Sequence, residues 1–389
     1  MNNGERLMKN EKKMNKIEKL IAELCPDGVE FKELGEVVNI LDSQRRPVSK
    51  LKRTGGIYPY YGANGIQDYV DDYIFDGTFI LLGEDGSVIN KDGSPVLNWA
   101  TGKIWVNNHA HVLAEKAEIA ILRYVYFALS TIDVTKVVKG NIPKITQQNL
   151  RNFRIPIPPL TVQQEIVKIL DTFTKLEAEL EAELEARKKQ YEYYRNKLLT
   201  FGDEVEFKDI CTLIENEVVA TVNPPKKLNK KHYSPIGTFP IIDQGQKFIV
   251  GYTDDRNAVV ANGLYVIFGD HTELIKYVDF TFAQGADGIK VLTTKSDIIN
   301  ARYFYYVLNN FYEKKGKYTR HFSFLKKTKI PIPSLVEQER IVAILDKFDA
   351  LVNDLTAGLP AELNARRKQY EYYRNKLLTF KPLEMQNAN

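Results

Sequence analysis

The chain has 389 residues, 44% of them apolar and 11% aromatic, enough to bury two or three ordinary cores, so a folded multidomain protein is expected. No apolar run approaches the roughly 20 residues that cross a bilayer, and the lysine-rich stretch Lys9 to Lys19 leads into no signal-peptide core, so a cytoplasmic protein without membrane partners is expected. Cys25 and Cys211 are too few for a disulfide framework or a cysteine metal cluster, and a net charge of +4 permits nucleic-acid binding without arguing for it.

In chain order, residues 1–24 carry an amphipathic helix over Met14 to Leu24 that leads into Val29-Glu30-Phe31-Lys32. Residues 25–159 form a first module. It opens on a basic, loop-like segment with Arg45, Arg46, Lys50, Lys52 and Arg53, passes the turn Pro59-Tyr60-Tyr61-Gly62-Ala63-Asn64-Gly65, and continues through β-rich stretches such as Phe79 to Leu82. Ala120 to Ser130 reads as helix, and the module closes on Ile155-Pro156-Ile157-Pro158.

Residues 160–201 then show helix spacing at Leu160, Ile166, Ile169, Leu170, Phe173, Leu176, Leu180 and Leu184, which predicts a helix from about Val162 to Leu199, roughly 55 Å long. That is a spacer length. Residues 202–333 form a second module with its own basic segment (Lys226, Lys227, Lys230, Lys231), a turn Pro240 to Gln246, strands at Leu264 to Phe268 and Ile289 to Leu292, and a helix over Ala301 to Asn309. Residues 334–381 repeat the spacer, with Gly358 and Pro360 predicting a break near Pro360, and 382–389 form a tail.

Repetition organises these elements. Ala186 to Phe201 and Ala365 to Phe380 differ only at Lys188 against Arg367 across sixteen positions. Val29 to Lys32 recurs at Val205 to Lys208, and Ile155 to Pro158 recurs at Ile330 to Pro333. Between these edges Glu33 to Arg154 and Asp209 to Lys329 mostly do not match. The chain is a tandem duplication of variable modules set between repeated connectors.

The expected fold is therefore α+β: two similar α/β modules joined by two long helices that form an antiparallel coiled coil, in a pseudo-two-fold tandem repeat. The N-terminal helix, beside the C-terminal one, would close the arrangement into a ring. The second spacer runs 17 residues from Asp349 to Ala365 where the first runs 13 from Thr174 to Ala186, about one extra helical turn. Exposed aromatic and charged residues repeated so closely imply a docked partner, which points to Tyr191, Tyr193, Tyr194 and Arg195 and their counterparts Tyr370, Tyr372, Tyr373 and Arg374.

Catalytic motifs are incomplete. Asn223-Pro224-Pro225-Lys226 has a lysine where an adenine methyltransferase needs a stacking aromatic, and no glycine-rich cofactor loop precedes it. Pro26-Asp27 with Glu30-Phe31-Lys32 mimics a nuclease motif with only two residues between the halves, and the second copy lacks the Pro-Asp, so an edge strand is the expected reading. His109 and His111 find no third metal ligand in the sequence, and no phosphate-loop lysine motif occurs. No catalytic or metal site is expected.

Tandem variable modules, Ile-Pro-x-Pro openings to long helices, leucine-every-four spacers and the PYYGANG and PIIDQGQ turns together resemble the specificity subunit of type I DNA restriction-modification enzymes, over about residues 14 to 380. The resemblance implies a non-catalytic subunit whose two target recognition domains each read half of a bipartite site in double-stranded DNA. It also implies helices that set the gap and bind two methyltransferase subunits, with restriction subunits joining that core. S-adenosylmethionine would sit on the methyltransferase subunits, and ATP and Mg on the restriction subunits, with no cofactor in this chain.

For DNA reading, long polar and aromatic side chains on loops nominate Arg45, Arg46, Lys52, Tyr60, Tyr61, Asn64, Asn141 and Lys144 in the first module. Lys227, Lys231, His232, Gln244, Gln246, His271, Arg320 and His321 are nominated in the second. A helical protein–protein scaffold without sequence-specific DNA binding is the alternative.

Overall fold

The two repeated tetrapeptides pair with each other. In a computed structural model that describes residues 16–138, 143–285, 288–354 and 357–383, the strand Glu30–Glu33 runs antiparallel to Arg154–Ile157, with Phe31 opposite Pro156 and Lys32 opposite Ile155. Phe207–Asp209 and Lys329–Pro331 reproduce this register, Phe207 opposite Pro331 and Lys208 opposite Ile330. Each module is thus tied at its neck by the segments that begin and end it. The Glu-x-Lys sequences lie in or beside these strands and their charges meet each other, Lys32 with Glu30 at 3.3 Å and Lys208 with Glu206 at 3.0 Å.

The chain divides into two compact units, Met1–Glu179 with Leu363–Asn389, and Leu180–Glu362. In the first, a six-stranded sheet runs in the order Asn39–Ile40, Ala110–Ala114, Phe75–Gly83, Leu97–Val106, Gly55–Gly62, Gly65–Val70. In the second, Val219–Val222, Ile289–Thr294, Tyr265–Gly269 and Ile275–Val278 form one four-stranded sheet. Gly251–Thr253, Phe239–Ile242, Phe282–Gln284 and Val259–Val260 form another. Each unit has a parallel pairing at the corresponding place, Tyr60 opposite Trp105 and Ile241 opposite Ala283.

Strand alternation sends the two faces of a central strand in each unit into different cores. Ile80 and Leu82 face a core that includes the helix Leu122–Leu129, while Phe79 and Leu81 join Ile104, Val106 and Val112 on the other face. Val266 and Phe268 likewise pack in the core of the helix Ala301–Phe311, whereas Tyr265 and Ile267 face a separate cluster. The strand Gly55–Gly62 takes in the first half of the turn predicted over Pro59 to Gly65, which leaves Ala63 and Asn64 as the actual turn.

A set of polar contacts clamps the spacer helices to these cores and recurs in both units, with the glutamine contacts matched bond for bond. Gln163, fully buried, donates from Nε2 to the carbonyls of Pro158 (2.8 Å) and Ile119 (3.3 Å) and accepts from the Ile121 N–H (2.9 Å). Gln338 does the same with Pro333 (2.9 Å), Ile298 (3.0 Å) and the Asn300 N–H (2.9 Å). The Tyr124 hydroxyl donates to the Pro156 carbonyl at 2.9 Å, and Tyr303 to that of Pro331 at 3.2 Å. Arg123 reaches Asp171 at 2.8 Å across the faces of Trp99, Tyr126 and Phe127, while Arg302 reaches Asp346 at 2.7 Å and Asp349 at 3.1 Å across Tyr277, Tyr305 and Tyr306.

The first spacer is one helix, Leu160–Leu198. In the first unit its Phe173 stacks on Tyr373 (5.4 Å) and meets Tyr370 (6.4 Å), and its Glu177 pairs with Arg367 at 2.6 Å, an antiparallel order. In the second unit Tyr194 stacks on Phe348 (5.4 Å), with Tyr191 beside it (6.3 Å). Tyrosines three apart lie on one helix face, so these four are engaged within the chain. That corrects the expectation that all the repeated tyrosines face a partner: only Tyr193 and Tyr372, 60% and 61% exposed, point fully outward.

The second spacer is broken near Pro360 as predicted: the helix Leu335–Asn353 ends before it, and a new helix, Leu359–Leu378, begins one residue ahead of that proline. Pro360 lies in the first turn of that helix, where its missing N–H is no loss. A side chain at Gly358 would sit 2.4 Å from the Ala350 carbonyl oxygen.

A helix over residues 16–24 packs beside the C-terminal helix, with Ile17 in the same cluster as Leu377 and Leu378 and Lys376 on Glu18 at 2.5 Å. Pro382 and Leu383, expected to be tail, add alongside Val29: the Val29 N–H donates to Lys381 (2.9 Å) and the Leu383 N–H to Val29 (2.8 Å). Among the described residues no helix is long and apolar enough to cross a membrane.

Candidate nucleic-acid interface

Loop residues at one end of each module gather several nominated side chains. In the first module the hairpin turn holding exposed Asn64 lies against Gly83, where an added side chain would sit 3.0 Å from the Ala63 carbonyl oxygen. Asp85 bridges backbone-to-backbone with Lys144, and the His109 ring meets Asp85 at 2.5 Å. In the second module Gln244 accepts from the His271 N–H (3.2 Å) through its side chain and from the Thr272 hydroxyl (2.6 Å) through its carbonyl.

The two ends correspond. The Ile145 N–H donates to the Glu84 carbonyl at 2.7 Å, and the His321 N–H to that of Asp270 at 2.7 Å, so Lys144 and Arg320, each one residue earlier, occupy the same structural position.

Their electrostatics differ. Glu84 pairs with Arg45 at 2.6 Å and with Lys144 at 3.1 Å, so both cations of the first cluster are spent internally. Arg45 also donates to the Asp42 and Ala110 carbonyls, and its side chain is largely buried. Burial alone would raise the Asp42 carboxyl. Hydrogen bonding and charge from His111, with the Val112 N–H and the Gln147 amide, instead hold it below the usual carboxylate range.

Ligand atoms of Asp42, Glu84 and His111 lie within 4.8 Å of one another. The His111 nitrogens are already engaged, Nδ1 with Asp42 (2.6 Å) and Nε2 with the Ile145 carbonyl (2.8 Å), and a guanidinium fills the space between the carboxylates. This is an ion-pair network. His109 and His111 serve separate partners.

In the second cluster Arg320 is exposed and joins no ion pair among the described residues. Tyr318, 91% exposed, stacks on the His271 ring at 5.3 Å with 17° between planes, and His271 Nδ1 donates to the Thr319 carbonyl at 3.1 Å. Neither Tyr318 nor its neighbours Lys314 and Lys317 stood out in the sequence. The signal was the density of cations around a single aromatic, after the helix and before the repeated Ile-Pro.

Several nominations need correction. Tyr60 is 1% exposed because it belongs to a strand, with its hydroxyl on the Val48 N–H at 3.0 Å and its ring under Arg53; Tyr61 is buried in the same strand. His321 is fully buried, with Nε2 on the Lys317 carbonyl at 2.7 Å. Arg45 is an internal strut. Asn141 lies outside the described residues.

Arg46 and Lys52 are exposed but occupy another part of the first module, next to Trp105, whose indole donates to the Arg46 carbonyl at 2.6 Å. Lys227, Lys231 and His232 are exposed on a loop with a short turn at Lys230–His232, and Gln246 is exposed beyond Gln244. Lys226, the residue that spoils the methyltransferase motif, pairs with Asp255 at 2.6 Å.

The chain matches the family described as type I restriction modification DNA specificity domain twice, over residues 26–186 and 203–365. It is 36% identical over 382 residues to a putative type I restriction enzyme specificity subunit of Haemophilus influenzae, covering 90% of this chain and 96% of that one. It is 32% identical over 381 residues to the specificity subunit of the Escherichia coli type I enzyme EcoR124I/EcoR124II, covering 82% and 91%. Its fold matches a crystal structure of a type I restriction-modification S subunit from M. genitalium with a TM-score of 0.62 at 16% identity, over 90% of this chain and 96% of that one.

Proposed function

The chain belongs to the type I restriction modification DNA specificity family, and we propose that each of its two modules reads one half of a bipartite site in double-stranded DNA for a restriction-modification complex. The observation that carries this reading is a duplicated frame holding two different polar loop clusters. The buried clamp around Gln163 recurs around Gln338, while Lys144 with Glu84 in one cluster corresponds to Arg320 and the Tyr318–His271 stack in the other.

Phosphate contacts from exposed lysines and arginines supply salt-sensitive affinity, and a few base-edge contacts in each module supply sequence. The helices act as the spacer between modules and as the docking surface for two methyltransferase subunits, with Tyr193 and Tyr372 the outward-facing repeated aromatics; restriction subunits join that core. S-adenosylmethionine belongs to the methyltransferase subunits and ATP with Mg to the restriction subunits, so this chain contributes recognition and no chemistry. Four residues of helix span roughly 6 Å against about 3.4 Å per base pair, so adding or removing one leucine repeat in Leu176 to Glu185 should move the preferred gap by about one or two base pairs.

The test is co-expression with a methyltransferase subunit of the same system and selection of bound duplexes from a random pool. A split motif with a fixed gap is expected. A stable complex that enriches no sequence would leave only the scaffold reading.

A further inference from the structure

Residues 313–320 read Glu-Lys-Lys-Gly-Lys-Tyr-Thr-Arg, four cations and one acid in eight positions, all of them exposed. A loop of that composition is ordinarily a solvated, mobile connection. Here it is pinned through its backbone. The Glu273 carboxylate accepts from the Lys315 N–H (2.6 Å), the Gly316 N–H (2.9 Å) and the Tyr312 hydroxyl (2.8 Å). His321 Nε2 donates to the Lys317 carbonyl at 2.7 Å and His271 Nδ1 to the Thr319 carbonyl at 3.1 Å.

Glu273 itself is buried in the left-handed region at φ 58°, a strained conformation for a residue with a side chain, and such strain persists where surrounding contacts over-determine it. Burial would raise its carboxyl, but the hydrogen bonds it accepts and the nearby His321 hold it below the usual range.

The pins take up main-chain groups and leave the side chains of Lys314, Lys317, Tyr318 and Arg320 outside, with no ion pair on Lys314, Lys317 or Arg320 among the described residues. A rigid, cationic loop bearing a stacked aromatic platform suits a polyanion with flat apolar edges. Phosphates would engage Lys314, Lys317 and Arg320, and a thymine methyl or sugar face would pack on Tyr318. Pre-ordering by Glu273 removes the entropy cost of fixing the loop on binding.

We infer that Glu313–Arg320 is the DNA-reading loop of the second module, with Tyr318 on His271 as its base- or sugar-contacting platform and Glu273 as its positioning residue. This rests on the reading that the second module binds DNA.

The test uses the full chain in complex with its methyltransferase subunits, measuring affinity and selecting from random duplexes. Tyr318→Ala should weaken binding about tenfold and relax preference at one or two positions in one half-site only, leaving the other half-site as in wild type. Lys317→Ala with Arg320→Ala should weaken binding across sequences and lower the slope of log K against log salt by about 2. Glu273→Gln should relax the same positions as Tyr318→Ala while the complex still assembles.

Unchanged preferences, with affinities within twofold of wild type for the first two variants, would overturn the assignment of the loop. A Glu273→Gln complex indistinguishable from wild type would overturn the positioning role alone. A wild-type complex that selects no split site would overturn the underlying reading, and the loop assignment with it.

Discussion

The two modules agree where they hold the helices and differ where they face outward. Gln163 and Gln338 make the same three hydrogen bonds, Tyr124 and Tyr303 cap the same proline carbonyl, and Arg123 and Arg302 lie in the same kind of aromatic cradle. At the loop ends, one position holds Lys144 paired with Glu84 and the other an exposed Arg320 with no ion pair among the described residues, beside an exposed aromatic stack. The contrast teaches a division of labour: the frame is fixed by the connectors it must clamp, while the loop clusters built on it differ in charge and chemistry.

The largest expected effect tests whether the frame is energetically duplicated. Gln163→Ala and Gln338→Ala each strand buried backbone groups, the Ile121 or Asn300 N–H and a proline carbonyl, and should each cost about 3 kcal/mol in chemical denaturation. A copy that tolerates the change would break the equivalence.

Next, Arg302→Ala should cost about 2 kcal/mol and Arg123→Ala about 1, because Arg302 holds two carboxylates where Arg123 holds one, both in partly exposed sites. Equal losses would show that the aromatic cradle rather than the ion pairs dominates.

On DNA the order of the modules should depend on free charge. Arg320→Ala should weaken binding about tenfold, roughly 1.4 kcal/mol, whereas Lys144→Ala should change it less than about threefold because its charge is already committed to Glu84. Titrating labelled duplex against the assembled complex separates the two.

The smallest effect is on pH. Both Asp42 and Glu273 have folded-state values held below the usual carboxylate range, so their stabilisation is complete above an unfolded value of about 4 and is lost as pH falls through the depressed folded values. Unfolding free energy should therefore show no pH dependence from these two groups between about pH 5 and 8, where their stabilisation is full, and decline below about pH 4. Asp42→Asn and Glu273→Gln should each flatten the acid limb of the module that carries it.

Much of the frame was legible in the sequence and little of the site. Repetition of Val-Glu-Phe-Lys and Ile-Pro-Ile-Pro marked the module edges, and periodic leucines marked Leu160–Leu198 to within two residues at its start. That the two tetrapeptides pair with each other was not visible, since neither names its partner. The clamp glutamines were hidden for a physical reason. A glutamine on a helix reads as solvated unless one knows that backbone groups from Ile119 and Ile121, or Ile298 and Asn300, fold over it.

Tyrosine shows the limit most plainly. Tyr60 and Tyr318 both sit in basic surroundings, yet one is a strand residue buried under Arg53 and the other stands on an exposed loop. Residue type gave the chemistry, and only the fold decides whether it reaches solvent. The repeated tyrosines divide the same way, by helix face: Tyr191, Tyr194, Tyr370 and Tyr373 against Phe348 or Phe173, Tyr193 and Tyr372 outward.

The most direct measurement replaces residues 209–329 with residues 33–154, so that the same module fills both frames, and then selects duplexes from a random pool with the assembled complex. If a common frame carries interchangeable readers, the selected site contains the first module's half-site twice, separated by a gap. Selection of the original asymmetric site, or of one half-site alone from a stably assembled complex, would contradict it.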